Sequence, residues 1–475
     1  MFFHSLDYAL FLALALAGYW ALVRRLGARL LFTIVASCLF YMAWNPWYLG
    51  LILLSTLVDW AVARSIHATE VEAERKRWLA VSVVMNLTLL GVFKYYDFGA
   101  RAVTDGLALL DVHVRPALLQ MALPVGISFY TFESLSYCID VYRRKCAPAE
   151  TPLKLLFFIT FFPKLVAGPI ARPADLLPQL DRPPVIDRAR VGDALFLIGV
   201  GLIKKVVFAD YLSVNLVDRV FDDPEHYSGV ETVIGLFGFT LQIYCDFSGY
   251  TDIARGSAKL FGIELPENFD RPYQARSPAE FWRRWHMTLS TWLRDYLYFP
   301  LGGSQLGPVR TYFNLWLTIF LIGLWHGASW TFVIYGALQG TAVALHRFVS
   351  KRALRKPEDD ARDPAWLVVL KVAGTLSFAV FTRILFRATS LTNAGEVTAR
   401  LFSGTSSTAN VAASVWAVLL VGYALHYTPR AWLEAIRVRF VAAPAVAQGL
   451  VLSAVLAVLA AVATSETVPY IYFQF

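Results

Sequence analysis

Residues 311–330 read TYFNLWLTIFLIGLWHGASW. The first fifteen contain no Asp, Glu, Lys, Arg or Pro. As a helix they rise about 22 Å at about 1.5 Å per residue, short of the roughly 30 Å hydrocarbon core of a bilayer. Gly327 then allows a break, and a second apolar run follows at 329–349. The stretch predicts a helical hairpin sunk in a membrane, with both ends on one side and His326 deep near the turn. An ionisable side chain at that depth is costly and marks a function by default. The alternative is a buried histidine bonded to a backbone carbonyl.

The rest of the chain agrees with a membrane setting. Of 475 residues, 57% are hydrophobic and 16% charged, against about 25% charged in soluble domains. Mean hydropathy is +0.52. The fold class is therefore all-α and polytopic. Spans or partial spans are predicted near 6–23, 30–44, 47–65, 78–97, 117–140, 152–168, 191–220, 230–261, 311–326, 329–349, 365–386, 412–428 and 445–465. A full span needs about 20 residues, so the shorter runs read as re-entrant or buried. About eleven membrane helices plus partial ones are expected, in one domain over 1–475. The polar run at 401–410 reads as a loop. The opening MFFHSLDYALFLALALAGYW has no basic start and carries Asp7, with Arg24 and Arg25 after the apolar run. It reads as a retained span rather than a cleaved leader.

Orientation follows from the basic loops. Arg24, Arg25 and Arg29 form one cluster, and Arg64, Arg75, Lys76 and Arg77 a second. Two short spans turning at Asn45-Pro46 separate them, which places both on one side, the cytoplasm by the positive-inside rule. Arg143, Arg144 and Lys145 return to that side, and the N-terminus is placed outside. The least apolar stretch, 263–310, reads as a cytoplasmic or interfacial helical segment. A further basic block, KRALRKPEDDARD, occupies 351–363. The net charge of +8 is accounted for by such loops. No basic module stands apart from the spans, so nucleic acid is not an expected partner.

Other residues carry chemistry less plainly. In SPAEFWRRWHMTLSTWLRDYLYFPLGG, from 277, Ser277 and Glu280 form a capping box with Pro278 in the first turn. One continuous helix would place Trp282, His286, Leu289, Ser290 and Leu293 on one apolar face. In LQIYCDFSGYTDIARG, from 241, Gln242, Asp246 and Tyr250 share a helical face at intervals of four. This polar stripe reads either as a buried network or as part of a site. A straight helix over 231–261 exceeds the bilayer, so tilt or a break at Gly249 is expected. Asn268, in ENFDRPY, offers hydrogen bonds from a loop shaped by Pro272. His4, His67, His113, His226, His346 and His426 read as loop or interface residues. Cys38, Cys138, Cys146 and Cys245 have no CxxC spacing and read as structural thiols. Two histidines without a third ligand make a poor zinc site. HExxH, a P-loop, a dinucleotide-binding GxGxxG and GxSxG are absent from the sequence. No metal or bound cofactor is expected.

Taken together, FWRRWHMTLSTWLRDYLYFPLGG followed by GLWHGASW closely resembles the membrane-bound O-acyltransferase family. The bacterial alginate O-acetyltransferase branch is the most similar. PVGISFYTFESLSYCIDVYR (124–143), FFPKLVAGPIARP (161–173), YCDFSGYTDIARG (244–256), ENFDRPY (267–273) and YIYFQF (470–475) resemble that branch too. The resemblance implies a ring of helices around a thinned centre, crossed by a tunnel where donor and acceptor meet. It implies His326 as the catalytic histidine and His286 as the second signature histidine. It also implies a bacterial inner-membrane location, an exported polysaccharide such as alginate as acceptor, and a periplasmic acyltransferase partner.

The residues fit that chemistry on their own terms. Acyl transfer to an alcohol needs a base, and a neutral imidazole serves near pH 7. The developing oxyanion needs donors. Trp325 N–H, Asn268 and His286 are all eligible, and Ser290, Gln242, Asp246 and Tyr250 complete the residues expected to line a substrate site. The basic stretch 271–310 would attract a phosphorylated donor, with acetyl-CoA the expected one. Ordinary positive-inside charge explains that stretch equally well. A proton-coupled transporter or flippase of an envelope intermediate is the rival function, and a non-catalytic scaffold the third.

Overall fold

The computed structural model describes residues 2–352, 363–463 and 468–471, and the regular elements among them are all helical. Six helices are long and apolar enough to cross a membrane: Leu49–Ala68, Glu72–Ala108, Gly229–Leu260, Trp330–Lys351, Ala365–Arg387 and Ala445–Val462. Leu6–Ala21, Leu26–Met42 and Ala413–Tyr427 are apolar but shorter. The chain is thus an all-α, multi-pass membrane protein. Most of the basic block 351–363 lies outside the described residues.

The chain divides into two compact units, Met1–Ile198 with Ile253–Pro266, and Gly199–Asp252 with Glu267–Phe475. In the first unit, buried polar side chains find each other. Asp59 accepts from Ser82 Oγ at 2.6 Å and Asn86 Nδ2 at 2.9 Å. Glu133, in the motif at 124–143, pairs with Lys164 of the motif at 161–173 and accepts from the Ala171 amide at 3.1 Å. Both partners of this ion pair are almost wholly buried. Two glycines let the motifs close. Gly126 sits at φ +79°, where a Cβ would meet Leu165 O at 2.7 Å. A Cβ on Gly168 would lie 2.3 Å from Lys164 Cα.

The basic loops are not all free. Arg29 is 3% exposed, bonds Val23 O at 3.3 Å and lies over the Tyr19 ring. Arg75 is buried against the Tyr142 ring and carbonyl. These two charges tie helix ends to the protein.

In the second unit, Gly229–Leu260 is one uninterrupted helix through Asp252 and beyond. The break expected at Gly249 does not occur. That glycine instead packs a neighbouring backbone, since its Cβ would fall 2.8 Å from Gly201 O. The run 191–220 is less regular than expected, with π-helical stretches at Lys204–Asp210 and Ser213–Val217. Such turns widen a helix and re-aim its side chains. Here they carry Lys205, which pairs with Asp210 at 2.6 Å and Asp246 at 2.8 Å. Two amphipathic helices, Leu391–Leu401 and Arg430–Ala442, were not anticipated. The loop near 401–410 is present and is pinned where Asn410 N donates to Glu231 at 2.8 Å. Cys138 and Cys245 are buried, Cys38 and Cys146 only partly so.

The Glu133–Lys164 pair yields a stability prediction. Removing one partner of a buried pair strands the other charge and costs about 3–5 kcal/mol, whereas replacing both with apolar groups is often close to neutral. Lys164→Met should therefore lower the thermal midpoint of purified protein sharply. Glu133→Leu with Lys164→Met should restore most of the loss. A double variant as unstable as the single one would contradict this reading.

Candidate active site

The hairpin predicted from 311–349 is present as helices Pro308–His326 and Trp330–Arg352. Glycine makes its crossing close. A Cβ on Gly323 would meet Gly336 Cα at 2.4 Å, and one on Gly340 would meet Trp316 O at 2.8 Å. His326 is the last residue of the first helix and is 3% exposed. Gly327 follows in extended conformation, where a Cβ would strike the Phe332 ring at 2.2 Å. The short turn therefore holds the imidazole against aromatic walls. Its ring centroid lies 4.9 Å from Phe386 and 5.1 Å from Trp325.

His286 arrives from a break rather than from a helix face. The capping box forms, with Glu280 N donating to Ser277 Oγ at 3.2 Å. The helix then ends at Arg284, and a second begins at Met287. Between them His286 adopts φ 45°, ψ 54°, the left-handed region that costs a non-glycine residue about 1–3 kcal/mol. The single helix expected over this stretch is thus corrected. Ser290 is part-buried and bonds back to Trp285 O at 3.4 Å, rather than sharing a stripe with His286.

Asn268 is the cause of the break. Its carbonyl O accepts from Met287 N at 2.9 Å. Its side-chain Oδ1 faces Thr288 N at 3.2 Å, Thr288 Oγ1 at 3.0 Å and His286 Nδ1 at 3.2 Å. A loop asparagine 18 residues earlier thereby caps the second helix. Because the Thr288 amide can only donate, Oδ1 must be the atom facing it. His286 Nδ1 then carries the proton, and Nε2 holds the lone pair. The His286 ring is wholly buried, 4.8 Å from Phe247 and 5.4 Å from Trp325. Burial pushes its pKa down to about 3, so it is neutral at physiological pH.

Trp325 therefore joins the two histidines, touching each ring edge to face. The expected stripe on the long helix divides differently. Phe247 reaches His286, whereas Asp246 binds Lys205 and accepts from Ile471 N at 2.9 Å. Tyr250 packs edge-on to Tyr470 at 5.0 Å. Gln242 is buried, and its Oε1 has no hydrogen-bond partner among the described residues. The structure thus gathers His286, His326, Trp325 and Asn268, and gives Asp246 and Tyr250 to the 470–471 segment. Residues 472–475 of the YIYFQF motif lie outside the described residues.

Two residues were missed. His426, read as a loop or interface residue, is buried; its Nε2 accepts from Tyr273 N at 3.3 Å, and its ring lies 4.8 Å from Tyr244. Its place in the last turn of an apolar helix was the available signal. Arg383, in FTRILFR, is 1% exposed and lies over Trp285 and Phe386.

Residues 149–386 match the model of the membrane-bound O-acyltransferase family. The chain is 40% identical over 397 residues to a probable alginate O-acetylase of Azotobacter vinelandii, covering 83% of this chain and 76% of that protein. The chain belongs to the membrane-bound O-acyltransferase family. It is accordingly an O-acyltransferase. A peptidoglycan O-acetyltransferase of Helicobacter pylori is 34% identical, over 77% of this chain and 72% of its own. A teichoic acid D-alanyltransferase of Bacillus subtilis is 27% identical, over 55% and 68%. The matched family region contains both histidines and Asn268.

Asn268→Ala removes one acceptor shared by three donors. Losing such a buried acceptor costs about 1–3 kcal/mol. The thermal midpoint should fall accordingly and acyl transfer should drop at least about tenfold, with Asn268→Asp retaining more of both. Wild-type transfer by a folded Asn268→Ala protein would show that the clamp does not matter. His286 also makes the fold acid-sensitive. Unfolded histidine binds a proton near pH 6.5, but the folded site refuses it until about pH 3. The unfolded state gains protons first, so the His286 contribution to stability declines as pH falls below about 6.5. A His286→Phe variant should show a shallower loss of midpoint between pH 7 and 4.

Proposed function

We propose that the chain transfers acetyl, or a similarly short acyl group, from a cytoplasmic thioester donor such as acetyl-CoA to a hydroxyl. His326 is the general base. The observation that carries this reading is the buried His286–Trp325–His326 cluster inside the region matched by the family. In this reading the acceptor hydroxyl gives its proton to the neutral His326 imidazole as its oxygen bonds the acyl carbon. The tetrahedral oxyanion collapses with cleavage of the C–S bond, and the imidazolium returns the proton to the leaving thiolate. Atoms and charge balance without a metal or redox partner. In this reading the Trp325 indole N–H is the donor to the oxyanion, while His286, whose one N–H is held by Asn268, walls the site and offers only the Nε2 lone pair.

The names of the relatives point to a polymer as the eventual acceptor, since they include an alginate O-acetylase and a peptidoglycan O-acetyltransferase. The acceptor proposed for this chain is an exported polysaccharide, alginate or a similar glycan, reached through a periplasmic acyltransferase partner. The proposed location is a bacterial inner membrane, with the donor approaching from the face that bears the basic loops.

His326→Gln decides the point. Glutamine is of similar size and still hydrogen-bonds, but it cannot take a proton at neutral pH. General-base catalysis contributes roughly 10²–10⁴-fold. The purified variant should keep its thermal midpoint and bind acetyl-CoA, yet lose acyl transfer by about that factor. Near-normal rates in His326→Gln would refute the mechanism, and loss of folding would make His326 a structural residue.

A further inference from the structure

The second unit holds a buried cation with no counter-ion among the described residues. Arg383 lies in the helix Ala365–Arg387, within an apolar run, and is 1% exposed. Arg387, one turn later, pairs with Asp218 at 2.6 Å. Arg383 has no such carboxylate among the described residues. Its guanidinium lies 4.6 Å from the Trp285 ring centre and 5.2 Å from that of Phe386. Its Nη1 reaches Tyr335 Oη at 3.5 Å. Aromatic faces and a phenol thus meet the plane and one end of the group. The side-on edge, Nε with Nη2, has no hydrogen-bond partner among the described residues.

That edge is the one that matters for recognition. Nε–H and Nη2–H are parallel donors spaced to meet two oxygens of one anion. A buried charge with two buried, unsatisfied donors is costly unless something neutralises it. Of the nearby neutral groups, the Tyr273 hydroxyl, which donates to Thr240 O at 2.6 Å, also faces the guanidinium, and three others satisfy one another. Trp282 Nε1 donates to Gln339 Oε1 at 3.2 Å, and Gln339 Nε2 donates to Thr382 Oγ1 at 3.0 Å. Phe386 is shared, since it touches both Arg383 and His326. Trp285, beneath the guanidinium, is the residue before His286. The cation therefore packs on the residue that precedes His286 and shares Phe386 with His326.

We infer that Arg383 is an anion-binding residue of the acyl-transfer centre, whose Nε/Nη2 edge takes a two-oxygen anion belonging to a reactant. The substrate assignment rests on the acyltransferase reading above; the anion site itself does not. Two sources carry this chemistry. A phosphoryl group belongs to a donor of the coenzyme-thioester class, and a carboxylate belongs to a carboxylic acid product or a uronic acid acceptor.

The test uses full-length protein in nanodiscs at constant ionic strength, with inorganic phosphate, acetate or chloride added. The readout is the thermal midpoint, which needs no turnover. Phosphate or acetate should raise the wild-type midpoint beyond the chloride control. A response to phosphate assigns the phosphoryl source, and one to acetate the carboxylate source. Arg383→Gln should lose the response. Arg383→Lys, which keeps the charge without the fork, should need at least tenfold more anion for the same shift. The inference falls if neither anion exceeds chloride, or if Arg383→Gln responds as wild type. If Arg383→Gln does not fold, an Arg383→Lys protein with wild-type anion affinity overturns it instead. Anion binding with no acyl transfer would leave Arg383 assigned and the enzymatic reading wrong.

Discussion

A polar group placed away from water must find its partner within the protein, and that constraint organises this fold. Each unsatisfied group in a hydrocarbon setting costs several kcal/mol. The chain meets the cost by pairing segments that are far apart in sequence. Glu133 with Lys164, Asp59 with Ser82 and Asn86, and Lys205 with Asp246 are all such pairs. The apolar helices supply length and burial. The polar pairs decide which surfaces meet, because a register slip would strand a charge.

The candidate site follows the same rule. Asn268 gathers three donors on one oxygen, and in doing so it breaks a helix and turns His286 inward with a strained backbone. Strain of this sort persists only where surrounding contacts over-determine it. Here Phe247 and Trp325 close on the ring from two other elements. The consequence is chemical. A fixed tautomer and a neutral imidazole beside a second histidine form a site suited to proton transfer, in a place where a charged imidazolium would be expensive to hold at rest.

The hairpin and His326 were legible in the sequence because one run of residues decides them. An apolar run that ends in His326 and is followed by glycine marks a helix end and a turn, and the helix starts slightly earlier than read, at Pro308. Apolar periodicity continues across Trp285 and His286, so a single helix was the natural reading there. The interaction that breaks it comes from 18 residues upstream. The Gln242–Asp246–Tyr250 stripe, read as either a buried network or part of a site, is buried. Its partners, Lys205 and the amide of Ile471, lie 41 and 225 residues from Asp246 and leave no local trace. Arg383 drew no reading from the sequence, where it is one charge near the end of an apolar run. Only packing shows that it faces aromatic rings rather than a headgroup region.

Acyl transfer by the purified protein, followed in proteoliposomes with acetyl-labelled coenzyme A confined to one face, tests the central claim most directly. The account predicts that label leaves the thioester only when donor meets the face bearing the basic loops, and that it then appears in an ester on a hydroxyl acceptor. It also predicts that the transfer disappears when His326 cannot take a proton. Label that remains on coenzyme A with a competent acceptor present, or that moves equally well without the His326 imidazole, would contradict it.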